Sequence, residues 1–265
     1  MLDIPTIKLN TEARIPIIGF GTWNLAEGDE VVGAVSDALT TGYRLIDTAK
    51  VYSNEHGVGE AVRKSSVPRE EIFVTTKLWP GDYGYEGALK AFEDSLQRLG
   101  FEYVDLYLLH WPGKDSGKRQ EAWQALLQIH KEGRAKNIGV SNYSVEHLEE
   151  LLKSSEKPPA VNQIEFHPYI YEEQRPILEF CKKYKVVVEA YSPLSGGHAL
   201  NSITLTDIAE RMGKSPAQVL IRWAIQHGTI PIPKSATPER IKSNIKVFDF
   251  SLSPADMNNL DELSR

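Results

Sequence analysis

Four side chains in this sequence can together deliver a proton to an oxygen without a metal: Asp47, Tyr52, Lys77 and His110. A phenol is a poor acid near neutrality, because its ordinary pKa lies near ~10. An ammonium group beside it stabilises the phenolate and lowers that value. Moving it to about 7 takes roughly 4 kcal/mol, at about 1.36 kcal/mol per unit. A carboxylate paired with the lysine keeps it charged and oriented, and an imidazole can orient a carbonyl oxygen. Combined, these roles make a proton donor to a developing alkoxide. The set lacks a source of hydride, which suggests a nicotinamide cofactor. Each residue alone has a plainer use: an Asp–Lys pair is commonly just an ion pair, a tyrosine a loop anchor, a histidine a satisfied core imidazole. The chemistry rests on the four arriving at one place.

What could bring them together is a regular alternation of elements. Short β-rich runs recur at 17–21, 44–49, 72–77, 104–110, 137–142, 161–166, 186–192 and 230–233. Most are almost continuously apolar, as parallel strands covered on both faces should be. Between them lie amphipathic segments. Val31, Val32, Val35, Ala38 and Leu39 recur at helical spacing before Thr41-Gly42, and Ala88, Phe92, Leu96 and Leu99 form a stripe that stops at Gly100. Leu148, Leu151 and Leu152 follow an N-cap at Ser144, and further helices fit 57–65, 120–132, 174–184, 204–212, 216–227 and 254–263. Ser215-Pro216 and Thr237-Pro238 read as an N-cap followed by proline at the first helical position.

Eight strand–helix units without a polar linker fit a single α/β domain over residues 1–265, a (β/α)8 TIM barrel. Residues 6–18 alternate and predict a β-hairpin closing the barrel bottom, with extra helices near the C-terminus. An open doubly wound sheet is the other architecture this pattern allows. No GxGxxG follows any strand, since Gly19-Phe20-Gly21 lacks the third glycine. In a barrel, chemistry gathers where strands end. Here the strands end on or near Asp47 (with Tyr52 beyond), Lys77, His110, Ser141-Asn142, Gln163 and Glu165, Tyr191-Ser192, and Lys234-Ser235. Packing needs alone do not explain such a rim.

Composition narrows the partners. With 30 basic against 36 acidic residues, a net charge of −6 and no Lys/Arg run longer than two, nothing supports a nucleic-acid surface. The single cysteine, Cys181, cannot form an internal disulfide. The N-terminus lacks a basic segment followed by an apolar one, and no apolar run approaches the roughly 18 residues that span a bilayer. The expectation is a cytosolic (cytoplasmic) monomer that meets neither membrane nor nucleic acid.

Other chemistries fit less well. Glu165 and Glu189 on neighbouring strands could be a glycosidase pair, yet neither sits at the very end of its strand. His110, His130 and His167 are too scattered for a metal hydrolase, and no metal is expected. Gly139-Val140-Ser141-Asn142-Tyr143 misses the last glycine of a serine-hydrolase elbow. The alternative from another class is a catalytically weak, cofactor-binding regulatory subunit on the same fold.

Across nearly its whole length the sequence resembles the aldo-keto reductase family. The motifs that carry the resemblance are GFGTW (19–23), GYRLIDTAKVYSNE (42–55), TTKLW (75–79), LLHWP (108–112), IGVSNYS (138–144), VNQIEFHP (161–168), EAYSPL (189–194) and IPIPKSATPERIKSN (230–244). It implies a barrel that binds NADPH along its rim and reduces aldehydes and ketones. Tyr52 would be the general acid, Lys77 would lower its pKa, Asp47 would hold Lys77, and His110 would orient the carbonyl. Ser141, Asn142 and Gln163 would bind the nicotinamide amide with Tyr191 stacked beneath the ring. Gly21, Thr22, Ser192 and Leu194 would line the cofactor. Lys234, Ser235 and Arg240 would clamp the 2′-phosphate and Asn244 would meet the adenine. Trp23, Trp79 and Trp111 would wall an apolar substrate pocket.

Three departures matter. Ser243 stands where relatives often carry an acidic adenine contact. The connection after His110 is short and the chain stops at Arg265 without a long closing loop. The resemblance then implies an open pocket and broad selectivity for small carbonyls.

Overall fold

In this computed structural model, which describes residues 4–155 and 157–264, the apolar runs form eight parallel strands. They are β3 (Phe20–Gly21), β4 (Leu45–Asp47), β5 (Phe73–Leu78), β6 (Val104–Leu109), β7 (Ala135–Ser141), β8 (Val161–Glu165), β9 (Val187–Tyr191) and β10 (Ile230–Pro231). Each pairs with the next in sequence order, so every connection is a crossover from one strand to its neighbour.

The first and last strands meet. Gly19 and Gly21 donate their N–H groups to the carbonyls of Pro231 and Pro233, at 3.0 and 3.1 Å. This closes the sheet into a barrel. The seam carries only half a ladder, because Pro231 and Pro233 have no N–H to return. That same deficit explains why β3 and β10 are much shorter than the runs 17–21 and 230–233 predict. Backbones approach closely here: a Cβ on Gly21 would lie 2.8 Å from the Ile232 carbonyl oxygen.

Before the barrel, β1 (Thr6–Lys8) and β2 (Arg14–Pro16) form the expected hairpin, with Ile7 opposite Ile15. Its buried Leu9 and Ile15 pack on Leu45, Phe73, Val161 and Ile230, all at the N-terminal ends of strands. The hairpin therefore plugs the bottom and leaves the opposite mouth for polar groups. A larger apolar layer lies between the strands and the helices that surround them.

The helices are α1 (Asp29–Thr41), α2 (Glu55–Lys64), α3 (Tyr85–Leu99), α4 (Ser116–Lys131), α5 (Val145–Ser154), α6 (Tyr171–Lys183), α7 (Ile203–Met212), α8 (Pro216–Gln226), α9 (Pro238–Asn244) and α10 (Pro254–Asp261). The predicted stops hold: Gly42 (φ 119°) ends α1 and Gly100 (φ 68°) ends α3, both left-handed. Ser144 and Ser215 cap α5 and α8 through reciprocal side-chain bonds. Thr237 differs. It occupies the N-cap position of α9, but its side chain makes no capping bond. The Ser235 hydroxyl instead accepts from the Thr237 N–H at 3.0 Å. Among the described residues no helix is long and apolar enough to cross a membrane.

Candidate active site

The loop after β4 is folded by its own polar side chains. Thr22 bonds the Asp47 carbonyl through both its N–H (3.0 Å) and its hydroxyl (2.9 Å). Buried Asn54 donates to the carbonyls of Thr22 and Leu25 and accepts from the Thr48 hydroxyl. Ser53 takes a left-handed conformation (φ 57°), ending a tight turn over Lys50–Tyr52. The turn brings Tyr52 back over the barrel mouth. Beneath it β5, buried at every position, carries Lys77 into the interior with no solvent exposure.

There the ammonium uses all three of its hydrogens. Lys77 Nζ donates to Asp47 Oδ1 at 2.6 Å, to the Thr48 carbonyl at 2.9 Å and to the Tyr52 hydroxyl at 3.2 Å. The His110 ring meets Tyr52 edge to face at 5.6 Å and Trp79 at 5.4 Å between centroids. All four residues expected to form the proton-handling group are thus gathered at one end of the barrel.

Their electrostatics differ in one respect from expectation. Burial pushes the Tyr52 phenol above its ordinary value; Lys77 pulls it down, but not enough to overcome burial and the charge of Asp47. The phenol therefore holds its proton at neutral pH. Burial alone would lower the Lys77 ammonium, yet Asp47 and Tyr52 more than offset this and keep it above its ordinary value. Burial also raises Asp47, against the pull of Lys77 and Gln163. His110 is driven down to about 2 by burial and by Lys77, so its imidazole is neutral.

A second polar group adjoins the first. Ser141 donates its hydroxyl to the Gln163 carbonyl at 2.9 Å. Asn142, left-handed at φ 62°, donates to the His110 carbonyl at 3.0 Å and accepts from the Tyr191 hydroxyl at 2.8 Å. Gln163 Nε2 reaches Asp47 Oδ2 at 2.8 Å, which joins this group to the catalytic candidates. Ser192 is left-handed (φ 48°), and Leu194 packs against the helix-side core. Across the seam, a Cβ on Gly21 would come within 3.9 Å of Lys234 Cβ. Lys234 and Arg240 are exposed and enter no ion pair among the described residues, while Ser235 and Asn244 are buried.

Trp23, Trp79 and Trp111 are 62%, 38% and 44% exposed, which is unusual for three tryptophans and suits a pocket wall better than core. Two of them are anchored. Trp111's carbonyl accepts from the Tyr83 hydroxyl, and Arg119 holds the next carbonyl, Pro112, at 2.8 Å. Trp79 leads into a turn whose Asp82 pairs with Lys50 at 2.5 Å.

Sequence reasoning did not find Asn54, or the buried Glu55 that accepts from Thr76 (2.6 Å) and Arg98 (2.7 Å) and ties α2 to β5 and α3. Nor did it give Glu189 a role. The two glutamates sit in different surroundings: Glu165, contrary to expectation, is the last residue of β8 and lies partly exposed beside His167, while Glu189 is enclosed against Gln163. Polar letters within apolar strands were the available signal.

Comparison with known proteins points the same way. Residues 17–265 match the Aldo/keto reductase family. Glyoxal reductase of Bacillus subtilis (strain 168) is 48% identical over 260 residues, covering 98% of this chain and 93% of that protein. The crystal structure of an aldo/keto reductase from Brucella melitensis superposes with a TM-score of 0.95 at 48% identity, covering 99% of both chains. The structure of a Bombyx mori aldo-keto reductase in complex with NADP gives 0.91 at 36% identity, covering 99% and 94%. With the barrel, its rim of polar groups and these full-length matches in agreement, the chain belongs to the aldo/keto reductase family.

Proposed function

We propose that this protein reduces small aldehydes and ketones to alcohols with NADPH, Tyr52 serving as general acid. The observation that carries the reading is the Lys77 ammonium, held by Asp47 at 2.6 Å and donating to the Tyr52 oxygen at 3.2 Å. A phenol that keeps its proton in the resting site can give it to an alkoxide oxygen. The phenolate left behind already has a hydrogen bond and a positive charge waiting for it. Asp47 keeps Lys77 charged and fixed. Neutral His110 can donate one hydrogen bond to the carbonyl oxygen without competing as the acid.

The rim suits an extended dinucleotide. The exposed cations Lys234 and Arg240, free of ion pairs among the described residues, suit a phosphate dianion, and Gly21 crosses the seam beside Lys234. Ser141, Asn142 and Gln163 offer amide and hydroxyl groups, and Tyr191 a ring face, to a nicotinamide. Ser235, Asn244, Thr22, Ser192 and Leu194 complete the groove. When bound, NADPH supplies the hydride. The tryptophans favour apolar carbonyl substrates and limit water at the reacting carbon. The relative named glyoxal reductase supports small dicarbonyls as the first substrates to try. Purified protein should consume NADPH with methylglyoxal or nitrobenzaldehyde; no consumption with either would favour a regulatory role.

A further inference from the structure

Glu189 lies in the middle of β9, opposite Gln163 on β8 and Ile230 on β10, with no solvent exposure. A carboxyl group wholly inside a barrel needs a reason, and the chemistry above does not use it. One oxygen is bonded: Oε2 accepts from Gln163 Nε2 at 2.8 Å. The other, Oε1, is buried with no partner.

Gln163 Nε2 spends its second hydrogen on Asp47 Oδ2, also at 2.8 Å. A continuous series of hydrogen bonds therefore runs from Glu189 through Gln163, Asp47 and Lys77 to the Tyr52 oxygen. The charged groups that face Glu189 are Asp47 from β4 and Lys77 from β5. Gln163 on β8 and Ile230 and Pro231 on β10 carry no charge.

An ionised Glu189 would keep a full charge in a dry interior on one hydrogen bond, beside a second carboxylate. The neutral acid avoids both costs. Burial first, and the charge of Asp47 second, push this carboxyl up to about 8, against smaller opposing effects of Gln163 and Lys77.

We propose that Glu189 is a positioning residue that works as a neutral carboxylic acid, steadying Asp47 through Gln163. Its ionisation places a second negative charge behind Lys77 and makes Tyr52 a weaker acid. This rests on the reading of Tyr52 as proton donor. Residue 189, rather than the phenol, then sets the alkaline limit of carbonyl reduction.

The test is the pH profile of kcat for NADPH-dependent reduction of nitrobenzaldehyde by wild type, Glu189→Gln and Tyr52→Phe. Glutamine keeps an acceptor oxygen for Gln163 but cannot ionise. At about pH 6.5 its kcat should stay within about threefold of wild type, while the alkaline fall moves up by about one pH unit or more. Superimposable profiles from folded proteins overturn the proposal.

Should the variant not fold, the infrared spectrum of the wild type decides. A protonated carboxylic acid C=O stretch should be present at about pH 7 and lost as pH rises past about 8. Its absence at neutral pH overturns the proposal. The Tyr52→Phe arm separates the two claims. An active Tyr52→Phe removes the proton-donor reading and this proposal with it. An inactive one alongside superimposable profiles removes only the role of Glu189.

Discussion

The rings of Tyr52 and His110 meet edge on, 5.6 Å between centroids with their planes at 77°. Two groups able to carry a proton therefore flank one small space, and burial treats them in opposite ways. It pushes the phenol up and the imidazole down, to about 2. Each is driven to its neutral form: the phenol has a proton to give, and the histidine does not gain a charge.

The pH dependence of His110 follows. Reduction should show no imidazole inflection in kcat/KM between about pH 5 and 8, because neutral His110 does not titrate there. Its folded pKa is depressed from 6.5. Its contribution to folding is thus present above about 6.5 and is lost as pH falls, at about 1.4 kcal/mol per unit. Denaturant unfolding between about pH 6.5 and 5 should show a shallower loss for His110→Asn than for wild type. Equal slopes would argue against an uncharged His110.

Tyr52→Phe removes the proposed donor while leaving the barrel intact. It should lower kcat/KM by about 10²–10⁴ and leave NADPH affinity within about threefold, read by quenching of tryptophan fluorescence. A variant keeping more than about a tenth of wild-type turnover would count against Tyr52. Lys77→Met should be inactive and also destabilised by about 3–5 kcal/mol, since buried Asp47 would lose its counter-charge and keep only the Gln163 hydrogen bond.

Arg240→Ala tests the phosphate assignment. One charge-assisted contact is worth about 1.5–3 kcal/mol, so the NADPH KM should rise roughly 10- to 100-fold. NADH lacks the 2′-phosphate, and its KM should move by less than about twofold. Equal effects on both cofactors would remove the clamp.

Gly21→Ala tests the seam. The added Cβ would stand 2.8 Å from the Ile232 carbonyl oxygen, where only backbone can give way. Urea unfolding should show a loss of about 1–3 kcal/mol, together with weaker NADPH binding. An unchanged unfolding midpoint would mean that the strands separate there at no cost.

Much of this molecule is legible from local patterns. Apolar runs bounded by turn residues, the glycine stops at Gly42 and Gly100, and the serine caps at Ser144 and Ser215 depend on neighbours a few residues away. They appear where the pattern puts them. The rim residues are legible for a related reason, since strand ends collect at one mouth of a barrel. Less legible were the short β3 and β10, because a ladder across the seam depends on which strand a proline's missing N–H would have faced. Thr237 makes no side-chain capping bond, and the nearby polar contact is instead the Ser235 hydroxyl accepting from the Thr237 N–H.

By itself the amino-acid sequence determined the alternation of elements, the residue types at each strand end and the family to which the chain belongs. Each of these is written in neighbouring letters or shared motifs. Only the tertiary structure decided how the buried charges balance. Asp47 and Gln163 lie 116 positions apart in the chain yet share a 2.8 Å bond, and Gln163 extends it to Glu189. Whether burial or an ammonium neighbour governs Tyr52 likewise depends on how much protein surrounds the ring. Desolvation is a property of the packed interior, and no stretch of sequence carries it.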